Sequence, residues 1–340
     1  MERKGLSRGV CMLLAVAFLL AAGLYALSSG SAGIPIYDIL SIIREGRGSP
    51  EFTILLHIRL PRILLGFAIG GALSLAGVIL QGMFRNPLVE PYTIGISGGA
   101  ALGAALCIVS GINRLFPDFA MSLFGFLGAF TVILPIYLMN IRRGSLNTDG
   151  LLLTGVMISF ISSSLVTLIL ALSRTEHLQG IIFWIMGSLE EPSWTLILVT
   201  ASVSLLCLAL SYLFCLDMNA LSLGEEEAAH LGIDVERTKK ILFLIAAVLT
   251  GISVSVAGII GFVGLVVPHF TRMIAGYDHR GLLVLSFITG AGFLIFCDTL
   301  ARTIISPVEL PVGVITGILG GVLFVYASGK RLGAGRAGSS

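Results

Sequence analysis

The sequence predicts an all-α, polytopic membrane protein of about ten transmembrane helices, forming one domain over residues 1–340. Three observations predict it. The chain is 56% hydrophobic and 12% charged, against about 25% charged residues in a soluble globular domain, which leaves too little polar surface for a water-facing shell. Mean hydropathy is +1.00. The apolar residues gather into runs of the roughly 20 residues that a spanning helix needs, separated by mostly short polar stretches.

The first run follows Arg3, Lys4 and Arg8 and so imitates a secretory signal. Its apolar stretch lasts from Val10 to Leu27, longer than the about 7–15 residues of a signal core, so it reads as a first helix that stays. Further spans fall near 60–82, 93–110, 119–140, 150–172, 194–215 and 240–260. An eighth, near 261–277, is short and interrupted by Gly and Pro, so a full regular span is not expected there. The ninth and tenth fall near 282–301 and 311–328. With alternating spans and an inside N-terminus, Arg44, Arg47, Arg59, Arg62, Arg114, Arg174 and Arg302 lie outside. The remaining two-thirds of the 21 Lys and Arg lie inside, which supports both termini in the cytoplasm of a cell-membrane protein.

Leu73-Ser-Leu-Ala-Gly-Val-Ile79 reads like Val254-Ser-Val-Ala-Gly-Ile-Ile260, and Pro87 matches Pro268 at the same offset. The two spans run in opposite directions, so an inverted internal repeat is expected, a common transporter architecture. Gly313, Gly317 and Gly321 share one face of the last span, and Gly66 and Gly70 do so on the second. Small residues at this spacing permit close helix packing; on the last span they also suit the smooth wall of a pathway.

A net charge of +2 gives no reason to expect a nucleic-acid partner. Cys11, Cys107, Cys207, Cys215 and Cys297 sit inside apolar runs without a C-x-x-C pair, so they read as small core residues, not as disulfides or metal ligands. No G-x-x-x-x-G-K-[ST] loop occurs, so ATP, if it drives transport, must bind another chain. Gly95-Ile-Ser-Gly98 imitates an intramembrane serine protease motif, but nothing brings His269 near Ser97.

The polar segment at about 216–240 is the most informative. Ser222 followed by Glu225 forms a capping box. Glu225, Glu226 and Glu227 suit the positive end of a helix dipole, and Gly232 can close the far end in a left-handed conformation. A short helix near 223–231 should expose Ala228, Ala229 and Leu231 for docking into a partner's groove; an ordinary solvated helix is the alternative. On the fifth span Ser159, Ser163 and Thr167 share a face. They either line a pathway or bond the i−4 carbonyls and do nothing more. Asp298 and Arg302 are spaced as an i,i+4 pair, and Arg59 and Arg62 are cations at the outer mouth of the second span. No unpaired midplane carboxylate of the kind an ion-coupled carrier would use is evident.

These residues resemble the permeases of ATP-binding-cassette (ABC) importers for iron-siderophores, haem and cobalamin. The resemblance runs from about Arg59 to Arg331. It is carried by Arg59-Leu-Pro-Arg62, Gly77-Val-Ile-Leu-Gln-Gly82, Arg85-Asn-Pro-Leu88 with Glu90-Pro91, Leu151-Leu-Leu-Thr-Gly155 and Phe183-Trp-Ile-Met-Gly-Ser188. Leu223-Gly224 through Leu231-Gly232, Gly258 through Pro268-His269, Asp278-His-Arg280 and Glu309-Leu-Pro-Val-Gly313 complete it. It implies a cobalamin-permease-like fold working as a homodimer in the lipid bilayer. Two ATP-binding subunits, carrying ATP and magnesium, would dock below and one extracytoplasmic binding protein above, with no cofactor or catalytic residue on this chain. The 216–240 loop, with Ser222, Leu223, Gly224, Glu225, Glu227, Ala228, Ala229, Leu231 and Gly232, then resembles ATPase-coupling helices. It has two residues, not three, between Ala229 and Gly232, unlike the E-A-A-x-x-x-G loop of other importers. By the same resemblance Arg59, Arg62 and Arg302 meet glutamates of the binding protein. Asn86 and Leu88, with Asn147 and Thr148, form cytoplasmic gates, and the fifth and tenth spans line the pathway. Iron-siderophore is the first expectation for cargo, then cobalamin, haem or an oxyanion. An ion-coupled secondary carrier is the alternative.

Overall fold

A computed structural model describes residues 7–30, 33–46, 49–117, 119–141, 148–190 and 193–336. All ten expected spans are helices: α1 (Arg8–Ser28), α2 (Leu60–Met83), α3 (Ile96–Ser110), α4 (Ala120–Ile141), α5 (Thr148–Leu172), α6 (Trp194–Leu213), α7 (Val235–Ala257), α8 (Val263–Ala275), α9 (His279–Thr303) and α10 (Val312–Arg336). Among the described residues seven helices are long and apolar enough to cross a membrane, and α3, α8 and α10 contribute shorter apolar stretches.

α2 is the central post. It packs on α6, α7, α8 and α9, and almost all of it from Leu65 onward is buried. Its glycines make this possible. A Cβ at Gly77 would lie 1.9 Å from the carbonyl oxygen of Gly264, so α2 and α8 touch backbone to backbone. α5 is the opposite case: it packs on α3 and α4 and leaves most of its apolar side chains exposed.

α8 has 13 residues, about 20 Å of helix at 1.5 Å per residue, well short of the ~30 Å hydrocarbon core. The eighth span is therefore incomplete, as its Gly and Pro content predicts. The proposed repeat segments also differ locally. Leu73–Ile79 runs through the middle of α2, whereas α7 ends at Ala257 and Gly258 turns left-handed (φ 69°).

The sequence reading missed several elements outside the spans. Helices at Ile39–Glu45 and Pro50–Thr53 lead into a π-helical stretch, Ile54–Arg59, that runs directly into α2. Between α5 and α6, Thr175–Met186 forms a helix whose C-terminal end meets the α7–α8 turn: Ser188 N–H donates to the Ala257 carbonyl at 2.9 Å. All five cysteines are buried and free, as expected.

Candidate functional sites: arginine cluster, backbone joint and the 216–240 segment

The three outer arginines were expected on an exposed rim, and the structure corrects that. Arg59, Arg62 and Arg302 are 2%, 7% and 6% exposed. The π-helical approach to α2 turns Arg59 inward, where it donates to the Leu27 carbonyl at the end of α1. Asp298 on α9 is shared. It accepts from Arg62 Nη2 and from Arg302 Nε, each at 3.1 Å, and Glu309 holds Arg62 Nη1 at 2.7 Å. The i,i+4 pair is thus real but forms half of a larger cluster. The three arginines and Glu309 line a cavity of about 280 Å³ together with Gly30, Ile58 and Ser306, and Asp298 lies behind Arg62 and Arg302. Arg302 Nη2 is buried without a hydrogen-bond partner. Unpaired buried donors of this kind favour an incoming anionic acceptor.

Between the helices, two stretches of irregular backbone meet. The α2–α3 connection rises to the α7–α8 turn, where Glu90 Oε1 accepts from Phe262 N–H at 2.5 Å and Tyr92 Oη accepts from Ile260 N–H at 3.2 Å. Gln81 Nε2 lies 3.2–3.3 Å from three carbonyls, those of Val89, Gly264 and Leu265. Backbone without helix is tolerated at membrane depth only where protein supplies such partners. Phe262 itself adopts φ 68°, rare for a bulky residue. Its side chain packs against α10, where a Cβ at Gly320 would fall 2.5 Å from Phe262 Cβ.

The three glycines predicted on one face of α10 separate in role. A Cβ at Gly313 would collide with the Met186 and Ile259 carbonyls at 2.2 and 2.6 Å. Gly317 faces open space, and Gly321 has only the Phe262 ring, at 3.9 Å. Gly313 is therefore a packing glycine, and only Gly317 and Gly321 leave a smooth wall. On α5, Ser163 and Thr167 are exposed and Ser159 half-buried, while Thr167 Oγ1 donates to the Ser163 carbonyl at 2.9 Å. α5 packs on α3 and α4, α10 on α8 and α9, so one copy of the chain does not bring the two faces together.

The 216–240 segment, expected to couple to an ATP-binding subunit, contains two short helices, Cys215–Leu221 and Glu225–His230. The capping box does not form. Ser222 sits at the end of the first helix, where its hydroxyl donates to the Met218 carbonyl at 2.9 Å, and Gly224 starts the second with φ 144°. Glu225 instead holds Lys239 of α7 at 2.8 Å. Gly232 does close the helix left-handed (φ 84°), with Ile233 N–H reaching the Ala228 carbonyl at 3.1 Å. Ala228, expected on the surface, is fully buried. Leu223 and Leu231 are 68% and 65% exposed, and Ala229 is exposed between them.

Beside this segment, Asn86 Oδ1 accepts from Leu88 N–H at 2.9 Å, a side-chain turn that presents Leu88 to solvent. Thr148 opens α5 and is half-buried; Asn147 lies outside the described residues. Asp278 knits this end together. It accepts from Asn219 Nδ2 at 2.9 Å, from Arg280 N–H at 3.1 Å and from Arg8 at 2.6 Å. The Asn219 amide first, then the Arg280 N–H, hold its carboxyl below the usual range. The Arg8 contact puts the start of α1 on the same face as the α8–α9 turn. Among the described residues no cluster of three metal-ligating side chains occurs.

Comparison with known proteins agrees with this architecture. The hemin transport system permease protein HmuU of Yersinia pestis is 39% identical over 303 residues, covering 88% of this chain and 90% of the relative. The Fe(3+) dicitrate transport system permease protein FecD of Escherichia coli is 37% identical over 311 residues, covering 91% and 94%. A solved structure of a metal-chelate type ABC transporter in an inward-facing conformation superposes with a TM-score of 0.82 at 30% identity, over 95% of this chain and 100% of that one. The profile of the FecCD transport family matches residues 17–330, and the chain belongs to that family of integral membrane proteins.

Proposed function

We propose that this chain is the membrane-spanning subunit of an ABC importer that takes up a metal chelate. In this reading it pairs with a second copy of itself and docks two ATP-binding subunits on its inner face. An extracytoplasmic protein delivers the cargo to the outer face, and both termini lie in the cytoplasm. Iron-siderophore is the first cargo to test, followed by haem, cobalamin and an oxyanion.

The observation that carries the reading is the Glu225–His230 helix. It presents Leu223, Ala229 and Leu231 on an otherwise charged surface and is tied into α7 by the Glu225–Lys239 bridge. Exposed apolar groups rimmed by charge mark a docking surface, and the bridge gives a push on it a route into a spanning helix. The separate α5 and α10 faces support a second copy, across whose axis they would meet. The cavity beside Arg302, whose Nη2 is buried without a hydrogen-bond partner, supports docking of a binding protein through its carboxylates.

The experiment is reconstitution in liposomes. Uptake should require the ATP-binding subunits, ATP and the binding protein, and the chain alone should neither hydrolyse ATP nor move cargo. Uptake by the chain alone under a proton or sodium gradient would overturn the reading in favour of an ion-coupled carrier.

A further inference from the structure

The inner face carries a cavity that neither the coupling segment nor the gates account for. It measures about 310 Å³ and opens between Arg85, Ser222 and Tyr277; its deeper wall includes Gln81, Arg272 and His279. Arg272 donates to Gln81 Oε1 and to the Val78 carbonyl, both neutral, and among the described residues it has no carboxylate within ion-pair distance. A partly buried cation without a counter-ion is costly, so the cavity favours an anion.

His279 narrows the choice of anion. It is 2% exposed, and its Nε2 is buried without a hydrogen-bond partner. Its Nδ1 lies 2.8 Å from Asn219 Oδ1. The Asn219 amide is oriented by its own Nδ2, which donates to Asp278, and its Oδ1 also accepts from His279 N–H. Nδ1 therefore carries the proton, and Nε2 of the neutral ring offers a lone pair. Gly82 leaves room beside Nε2, where a Cβ would lie only 3.1 Å from it. The cavity thus presents guanidinium donors on two sides and one acceptor.

We propose that this cavity binds a protonated phosphate: inorganic phosphate or the phosphomonoester headgroup of a lipid. Its oxygens accept from Arg85 and Arg272, and its P–OH donates to His279 Nε2. Sulfate, chloride and carboxylate have no such proton at neutral pH, and a phosphodiester has none either. The site does not depend on the direction or energy source of transport.

The test uses the full chain in uncharged detergent at neutral pH. Its melting is followed against phosphate, sulfate and chloride at fixed ionic strength, and retained phosphatidic acid or phosphatidylglycerol is read by native mass spectrometry. Phosphate should raise the melting temperature saturably, with sulfate about tenfold weaker, the size of one good hydrogen bond. Arg85→Gln, on an exposed side chain, and Gly82→Ala, which crowds Nε2, should each weaken phosphate by a similar factor. Retention of phosphatidic acid but not phosphatidylglycerol, displaced by phosphate, would identify the lipid as the source; a response to phosphate without lipid retention would identify the free ion. Equal response to phosphate and sulfate, unchanged binding in both variants, or no saturable binding of either phosphate or phosphatidic acid would overturn the assignment.

Discussion

Replacing Asp298 by Asn tests the outer cluster most severely. The carboxylate is 3.1 Å from both Arg62 Nη2 and Arg302 Nε, and all three side chains are 5–8% exposed. Breaking a buried ion pair by removing one partner costs about 3–5 kcal/mol, because the other charge stays buried and unmatched. Arg62 keeps Glu309, whose side chain is 38% exposed, so Asp298→Asn should fall near the lower end, about 3 kcal/mol. Glu309→Gln, on the wetter side, should cost about 1 kcal/mol or less. The assay is reversible unfolding of the full chain in mixed micelles, read by circular dichroism. The double change Asp298→Leu with Arg302→Leu removes one charge of each sign and leaves Arg62 with Glu309; it should recover most of the loss. Equal stability of Asp298→Asn and Glu309→Gln would refute the reasoning. So would a double variant as unstable as the single one, since both results would mean that Arg302 does not need Asp298.

Ala229→Trp should leave the fold intact and abolish stimulation of the ATP-binding subunits, whereas Ala228→Trp, at a fully buried position, should lower stability by about 1–3 kcal/mol; melting and ATPase assays separate the two. On the glycine contacts, Gly317→Ala should be near neutral, and Gly264→Ala, whose Cβ would meet Pro91 at 2.5 Å and the Leu73 carbonyl at 2.7 Å, should cost about 1–3 kcal/mol in the same unfolding assay. Glu90→Ala should orphan the half-buried Phe262 N–H and cost about 1 kcal/mol, with faster hydrogen exchange at the α7–α8 turn as the readout. Because the Asp278 carboxyl is depressed below its ordinary 3.8, its contribution is fully present above that value and is lost as pH falls through the lower folded value; Asp278→Asn should flatten that part of the acid-stability profile.

The spans were legible because a bilayer leaves a one-dimensional signal: an apolar run of fixed length needs no partner to be recognised. Even the shortness of α8 could be read, from its Gly and Pro. What the sequence concealed lies where polar groups choose between partners. Ser222 and Glu225 have capping-box spacing, but the unseen helix Cys215–Leu221 runs up to Ser222 and takes its hydroxyl, which frees Glu225 to reach Lys239. Composition marked Ala228 and Ala229 alike, yet adjacent helix positions face different ways, and only Ala229 faces out. The charge bias between loops places Arg59, Arg62 and Arg302 on one side of the membrane, and the spacing pairs Arg302 with Asp298. That bias reports side of membrane and carries no information on depth; the π-helical entry to α2 and the shared Asp298 set the depth.

Several of the segments that carried the family resemblance look scattered in sequence and converge in space. Gly77 and Gln81 from α2, Glu90 and Tyr92 from the α2–α3 connection, Gly187 from the end of the Thr175–Met186 helix, and Gly258 to Gly264 all meet at one joint between the helices. One physical demand explains that residue list. Breaking helices inside a bilayer exposes N–H and C=O groups that lipid cannot satisfy, so each break needs either a polar side chain to cap it or a glycine to let another backbone reach it. Gln81, Glu90 and Tyr92 do the first; Gly77, Gly187, Gly258 and Gly264 do the second. The joint also links two regions: Glu90 lies two residues from the exposed Leu88, and Phe262, which it holds, packs against the smooth stretch of α10. A chain with ten uninterrupted helices would satisfy its backbone more simply, but it would have no point at which the inner loop, the α7–α8 turn and the wall of α10 are fastened together.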